Sequence, residues 1–155
     1  MSPAPHRCVA ILGVLLVSAA VRANPAASSD DLKIIVSADN KLTLEPGDLE
    51  NYFLTKVRHW SDGTSIVALN APRGTDLRQS FDQAILKLTP DESARYWLDQ
   101  RIRSGVTSPR EITGDALSIK LVVHLKGTIA YVSASTNTDS VRVIARIHDR
   151  KVLIP

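Results

Sequence analysis

Cysteine is almost absent. Cys8 is the one thiol in 155 residues, which excludes an intrachain disulfide and any multi-cysteine metal site. Aromatic residues make up only 5% of the chain, too few for the stacking platforms that hold single-stranded nucleic acids. Neither sign of charge dominates: 19 basic residues face 16 acidic ones, a net charge of +3, so the chain is no polycation. Seven glycines and eight prolines exclude collagen-like and low-complexity material. The uncharged apolar run from Cys8 to Val21 has 14 residues. As a helix it would rise ~21 Å, short of a ~30 Å hydrocarbon core.

That run is the first feature that is present. Arg7, His6 and the free amine precede it, and Val21-Arg22-Ala23 fits the small-x-small cleavage rule. It reads as a signal peptide over residues 1–23, cleaved after Ala23, with Ala19 or Ala20 as alternative cleavage points and an uncleaved anchor as the competing reading. Residues 24–31 (NPAASSDD) are small and polar and read as a linker. One folded unit over 32–148 follows, then a tail or edge strand over 149–155. Cleavage would remove Arg7, Arg22 and Cys8, leaving 17 basic against 16 acidic residues, a net +1. Nucleic acid and anionic membrane are then not expected as partners, and no stable membrane anchor is expected to remain. A chain without a thiol suits an oxidising periplasm, the expected location.

Within the folded unit, apolar periodicity alternates between two and 3.6. Lys33 to Ser37 and Ser65 to Leu69 read as buried strands, and Pro46 to Leu54 as a helix with Leu49, Tyr52 and Phe53 on one face. Thr75 is a good N-cap, followed by Asp76 in the first turn and by Leu77, Phe81, Ala84, Ile85 and Leu88 on one face. Thr89-Pro90-Asp91-Glu92 opens a second capped helix to about Arg103, with Ala94, Trp97, Leu98 and Ile102 expected inward and Gly105 as its stop. A third helix is expected over Asp115 to Leu125, then a strand over Thr128 to Ser133. Val141 to Ile147 alternates, which places Val141, Val143, Ala145 and Ile147 on one side of a half-exposed strand. Lys151 to Pro155 could add an edge strand. Strands alternating with helices define an α/β architecture with covered sheet faces.

Catalytic motifs are missing. The sequence has no G-x-S-x-G, Walker loop, G-x-G-x-x-G or H-E-x-x-H. His59, His124 and His148 are too far apart for metal-ligand spacing, and His124 reads as a packing histidine. Asp91 and Glu92 are explained as helix-dipole partners. No enzyme activity, catalytic residue, metal or cofactor is expected.

Several short patterns nevertheless occur in order: Leu49-x-x-Tyr52-Phe53-Leu54-Thr55-Lys56, Trp60-Ser61-Asp62-Gly63, Ile66 to Asn70, Gly74-Thr75-x-x-Arg78-x-x-Phe81, Tyr96-Trp97, and Gly127 to Val132. Over about residues 32–133 this series resembles the substrate-binding proteins of phosphate ABC transporters, the PstS-like group with the type 2 periplasmic-binding fold. The chain best fits a short, single-lobe branch of that family. The resemblance implies one α/β lobe, a mixed sheet flanked by helices, where the family closes two lobes on a tetrahedral oxyanion. A lone lobe would bind weakly, dimerise, or borrow a wall from a partner.

Carried over position by position, the family's helix-start motif places a candidate oxyanion site at Gly74, Thr75 and Arg78, with Arg73 beside them. A helix start offers free N–H groups and partial positive charge, and an arginine adds a charge-assisted fork. Asp76 stands where the family has glycine, Leu77 where it has threonine, and Ala71 where an anion-pairing arginine is frequent. The same stretch also reads as a plain helix cap followed by an exposed arginine. Two functions follow: an exported module that binds or senses a phosphate-like oxyanion, or a periplasmic scaffold without a ligand that docks a membrane sensor, transporter or porin. The aromatic set Tyr52, Phe53, Trp60, Phe81, Tyr96, Trp97 and Tyr131 reads as core.

Overall fold

The computed structural model describes residues 31–155. The signal peptide over 1–23 and nearly all of the linker over 24–31 lie outside the described residues. Six strands form one open mixed sheet in the order β3-β2-β4-β1-β5-β6. They are β1 (Leu32–Ser37), β2 (Val67–Asn70), β3 (Arg110–Glu111), β4 (Thr128–Ser133), β5 (Val141–His148) and β6 (Lys151–Leu153). Between them lie α1 (Asp48–Phe53), α2 (Asp76–Phe81), α3 (Pro90–Ser104) and α4 (Asp115–His124), and α2 runs on through a π-helical segment, Asp82–Leu86. The α/β alternation is that expected from the periodicity, and the mixed sheet is the one the family resemblance implies.

The central strands β1 and β4 are apolar on both faces because helices cover both. Leu32, Ile34, Val36, Ile129 and Tyr131 pack against α1, α2 and α3 through Phe53, Phe81 and Trp97. Ile35, Ala130 and Val132 meet Val122 of α4 on the opposite face. The parallel pairs β2–β4 and β2–β3 bring the carboxyl ends of three strands to one sheet edge. Antiparallel pairing of β1 with β4 and β5 adds Leu32, Ser133 and Ile147 to that edge. The helices begin where their caps dictate. Thr89 forms a reciprocal capping box with Glu92, with bonds of 2.8 and 3.3 Å, and the Thr89 N–H and hydroxyl, both donating to the Glu92 carboxylate, hold it below its usual range.

Four sequence expectations are corrected. In α3, Trp97 and Ser93 are buried, but Leu98 is 51% and Ile102 76% exposed. The helix meets the core along a narrow stripe, so outlying apolar positions stay in water. In β5 a register shift between Ile34 and Ile35 of the partner strand inserts Ile144 as an extra residue. Val141 and Val143 therefore face α4, whereas Ala145 and Ile147 face the other core, because a bulge breaks strict alternation. His124 is exposed, since α4 turns it out at its carboxyl end. Pro46 lies in a turn before α1, which begins after Gly47. The expected edge strand is β6, paired antiparallel with β5.

The aromatic residues pack as a core. Phe81 and Tyr131 are stacked at 4.0 Å and 2°, Phe53 leans on both, and Tyr52 meets Trp60 edge-on at 4.8 Å. The indole N–H of Trp60 donates to the Gly127 carbonyl at 3.0 Å. Gly127 has φ +82°, and a Cβ there would sit 2.1 Å from the Ser65 carbonyl oxygen. Only glycine lets the chain enter β4 at this point.

Candidate functional site

β2 ends at Asn70 and hands the chain to the turn Ala71–Thr75, which opens α2. Tyr131, reaching from β4 beneath this turn, accepts the Ala71 N–H at 3.0 Å and lies 3.5 Å from Asn70 Oδ1. Burial pushes the Tyr131 phenol upward, so it stays a neutral hydroxyl. Gly74 takes φ +81°, and a Cβ on it would meet nothing within 4 Å, so the space before the turn is open. The Thr75 hydroxyl caps α2: it accepts the Arg78 N–H at 3.3 Å and donates to the Pro72 carbonyl at 2.8 Å. Asp76 is exposed at the first helical position.

The two arginines occupy different environments. Arg73 is 62% exposed and its Nε lies 3.0 Å from Glu111 at the end of β3. Arg78 is only 4% exposed, so its reading as an exposed arginine does not hold. Its Nε donates to both oxygens of Asp82, at 2.8 and 2.9 Å, and Nη1 donates to the Ala71 carbonyl at 3.3 Å. Asp82 is buried with it, and desolvation outweighs the attraction of Arg78, which places the carboxyl above its ordinary range. The carboxylate that meets Arg78 is thus Asp82, at i+4 and in the first position of the π segment, and not Asp76.

The structure therefore brings Arg73, Gly74 and Thr75 together at an open turn and sets Arg78 beneath it, tied to the core. Sequence reasoning missed Asp82, Glu111, Tyr131 and Asn70. The i,i+4 spacing of Arg78 and Asp82 was the one available signal. Glu111 and Tyr131 come from strands far away in sequence, and Asn70, next to the turn, is tied to it only through Tyr131.

Farther along the same edge, Asp115 accepts the Ser133 N–H at 3.0 Å and the Thr136 hydroxyl, which pins the loop after β4. His148 Nδ1 lies 2.7 Å from Asp31, and its Nε2 lies 3.6 Å from Asp149. Ligand-type atoms of these three residues fall within 4.8 Å of one another, but both ring nitrogens already face carboxylates, as in an ion-pair cluster. The hydrogen bond and charge of Asp31, then the charge of Asp149, raise the His148 pKa. This stabilisation is complete below the unfolded histidine value of ~6.5 and is lost as pH rises through the higher folded value. In an NMR titration, His148 is expected to have a midpoint above an ordinary histidine and to fall back toward it in Asp31→Asn. An unshifted midpoint in the unsubstituted protein would contradict this ion pair.

A helix-start turn at the carboxyl ends of parallel strands, in an open α/β sheet with helices on both faces, is where sheets of this class hold ligands. Comparison with solved structures gives the particular likeness. The fold matches an ABC-type phosphate transport receptor from Vibrio cholerae with a TM-score of 0.58 and 19% identity, over 72% of this chain and 44% of that one. It matches a phosphate ABC transporter substrate-binding protein with bound phosphate from Clostridium perfringens with a TM-score of 0.58 and 17% identity, over 72% and 43%. PstS from Borrelia burgdorferi matches with a TM-score of 0.50 and 16% identity, over 65% and 39%. The chain thus has a PstS-like fold over less than half the length of these proteins. No protein-family model and no curated protein matches the sequence.

Proposed function

We propose that this chain is an exported, periplasmic module of the phosphate-binding-protein type that takes a phosphate-like oxyanion weakly, or together with a partner, at the turn between β2 and α2. One observation carries the reading: Gly74 and Thr75 form an open turn at the carboxyl edge of β2, where open α/β sheets hold ligands, with the exposed Arg73 alongside. Gly74 lets an anion approach the backbone, Arg73 supplies a charge-assisted fork, and the Thr75 hydroxyl joins them by turning its proton from the Pro72 carbonyl to the anion. Arg78 braces the turn from below through the Ala71 carbonyl. The signal pattern over residues 1–23 supports export, and the likeness to a phosphate transport receptor from Vibrio and a phosphate-bound protein from Clostridium supports the anion class.

Isothermal titration with phosphate and sulfate tests the reading. A dissociation constant of about 1 mM corresponds to ~4 kcal/mol of binding. Arg73→Ala is expected to weaken it by about tenfold, the loss of one charge-assisted hydrogen bond. Heat that is unchanged in both Arg73→Ala and Thr75→Ala would remove the turn as the site. Asp76→Gly deletes a carboxylate beside the bound anion. Such charges 4 Å apart repel by ~4 kcal/mol at an effective dielectric of ~20. Solvent screens an exposed group heavily, so the expected gain in phosphate affinity is about tenfold or less.

A second reading rests on the Arg78–Asp82 pair. A cleft face whose buried cation is already neutralised suits a scaffold without a ligand, docking an envelope transporter, sensor or porin. No heat with either anion, together with capture of one such membrane protein that Arg73→Ala abolishes, would favour it.

A further inference from the structure

We infer that the protein carries a second anion site, in the hollow between α3 and the loop that follows it, suited to a small phosphate monoester. It stands apart from the turn described above and shares only Arg73 with it. The hollow has a volume of about 280 Å³. α3 contributes Ala94, Trp97, Leu98 and Arg101, spaced i, i+3, i+4 and i+7 and hence on one helical face. Thr107 and Ser108 close it from the following loop, and Arg73 reaches it from the β2–α2 turn.

Two of the donors at this hollow, Arg101 and the Trp97 indole, have no acceptor among the described residues. Trp97 is 94% buried, being 6% exposed, and its indole N–H has no hydrogen-bond partner. It is the only buried side-chain nitrogen in that state among the described residues. An indole and a guanidinium can only donate, so the indole, Arg73 and Arg101 all call for acceptor oxygens. No carboxylate lines the hollow. The exposed Arg73–Glu111 pair, at 3.0 Å, is of the kind worth about 0–1 kcal/mol and does not hold Arg73 away from a ligand. Two arginines and two hydroxyls line the hollow and match the oxygens of a phosphate group; the indole N–H, which has less than 1 Å² of accessible surface, joins them when the ligand displaces the groups that cover it. The hollow is larger than a bare tetrahedral anion, and Ala94 and Leu98 give an apolar wall for a short organic body.

The two tryptophans of the chain supply a test with an internal reference, because the Trp60 indole N–H is already bonded to Gly127. The ¹⁵N-labelled protein is titrated with glycerol 2-phosphate and, separately, with inorganic phosphate. The Trp97 indole proton is expected to move downfield and saturate in the millimolar range with the ester while Trp60 stays still. Arg101→Ala, at an exposed position that folding tolerates, should raise the dissociation constant about tenfold or more, and Arg101→Lys should recover part of the loss. Calorimetry on Trp97→Phe should show weakened ester binding with the ring retained. Thr75→Ala should leave the Trp97 response unchanged. A Trp97 signal that does not move, or that moves equally in Arg101→Ala, overturns this site. If inorganic phosphate still gives Thr75-dependent heat in that case, the turn survives alone. A Trp97 response without Thr75-dependent heat supports this hollow and removes the turn.

Discussion

Asp82→Ala is expected to destabilise the protein by ~3–5 kcal/mol, since removing one partner strands a buried charge. Arg78 and Asp82 retain only 5% and 7% side-chain exposure, so water cannot replace the lost carboxylate. For a domain of this size ~1 kcal/mol moves the melting temperature by roughly 4–8 °C, so thermal unfolding reads the loss directly. The paired replacement Arg78→Met with Asp82→Leu is expected to recover most of it, because apolar pairs of similar volume often match or exceed a buried ion pair in stability. A single substitution that costs less than ~1 kcal/mol would mean that the pair is open to water. The pH dependence has a definite sign. Burial raises the Asp82 pKa, so its contribution is complete below the unfolded carboxylate value and declines as pH rises through the folded one. Acidification should therefore not unfold the protein through this residue, and Asp82→Asn should gain relative to the unsubstituted protein as pH increases.

Phe81→Ala is expected to cost ~3–5 kcal/mol, the range for truncating a buried aromatic side chain. Phe81 is fully buried, stacked on Tyr131 at 4.0 Å and packed against Phe53 at 4.5 Å. Its loss opens a cavity where three elements meet. The effect should reach the turn, because Tyr131 holds the Ala71 N–H. Hydrogen exchange at Ala71 should speed up together with the drop in melting temperature. Ile102→Ala is the control: at 76% exposure it should fall within about 0.5 kcal/mol of neutral. Equal losses at Phe81 and Ile102 would contradict the packing of α3 described above. Phe81 lies one residue from Asp82, so the two losses should not be summed.

The arginines show why the candidate site was only partly legible. Thr75 as a cap follows from local chemistry and is found in that role; Gly74 entered through the family resemblance, and the structure gives it a positive φ in the turn. Whether Arg78 faces water or the core depends on the wrap of α2 over β4, which no local pattern encodes. The acidic residue at the helix start draws attention to Asp76, yet Asp82 lies one turn below Arg78 and takes its guanidinium. Trp97 likewise reads as a core aromatic, and it is buried. Its unpaired N–H emerges only once the loop with Thr107 and Ser108 folds back beside α3.

The amino-acid order alone determined the α/β alternation, the caps at Thr75 and Thr89 and the aromatic core, because these depend on neighbours within about one or two helical turns. Tertiary structure alone decided the placement of Ile144 in a bulge, the exposure of Leu98 and Ile102, the burial of Arg78 with Asp82, and the meeting of Arg73 with Glu111 and with the α3 hollow. Each of these joins surfaces brought together by strand order, and burial is a property of what the rest of the chain leaves uncovered.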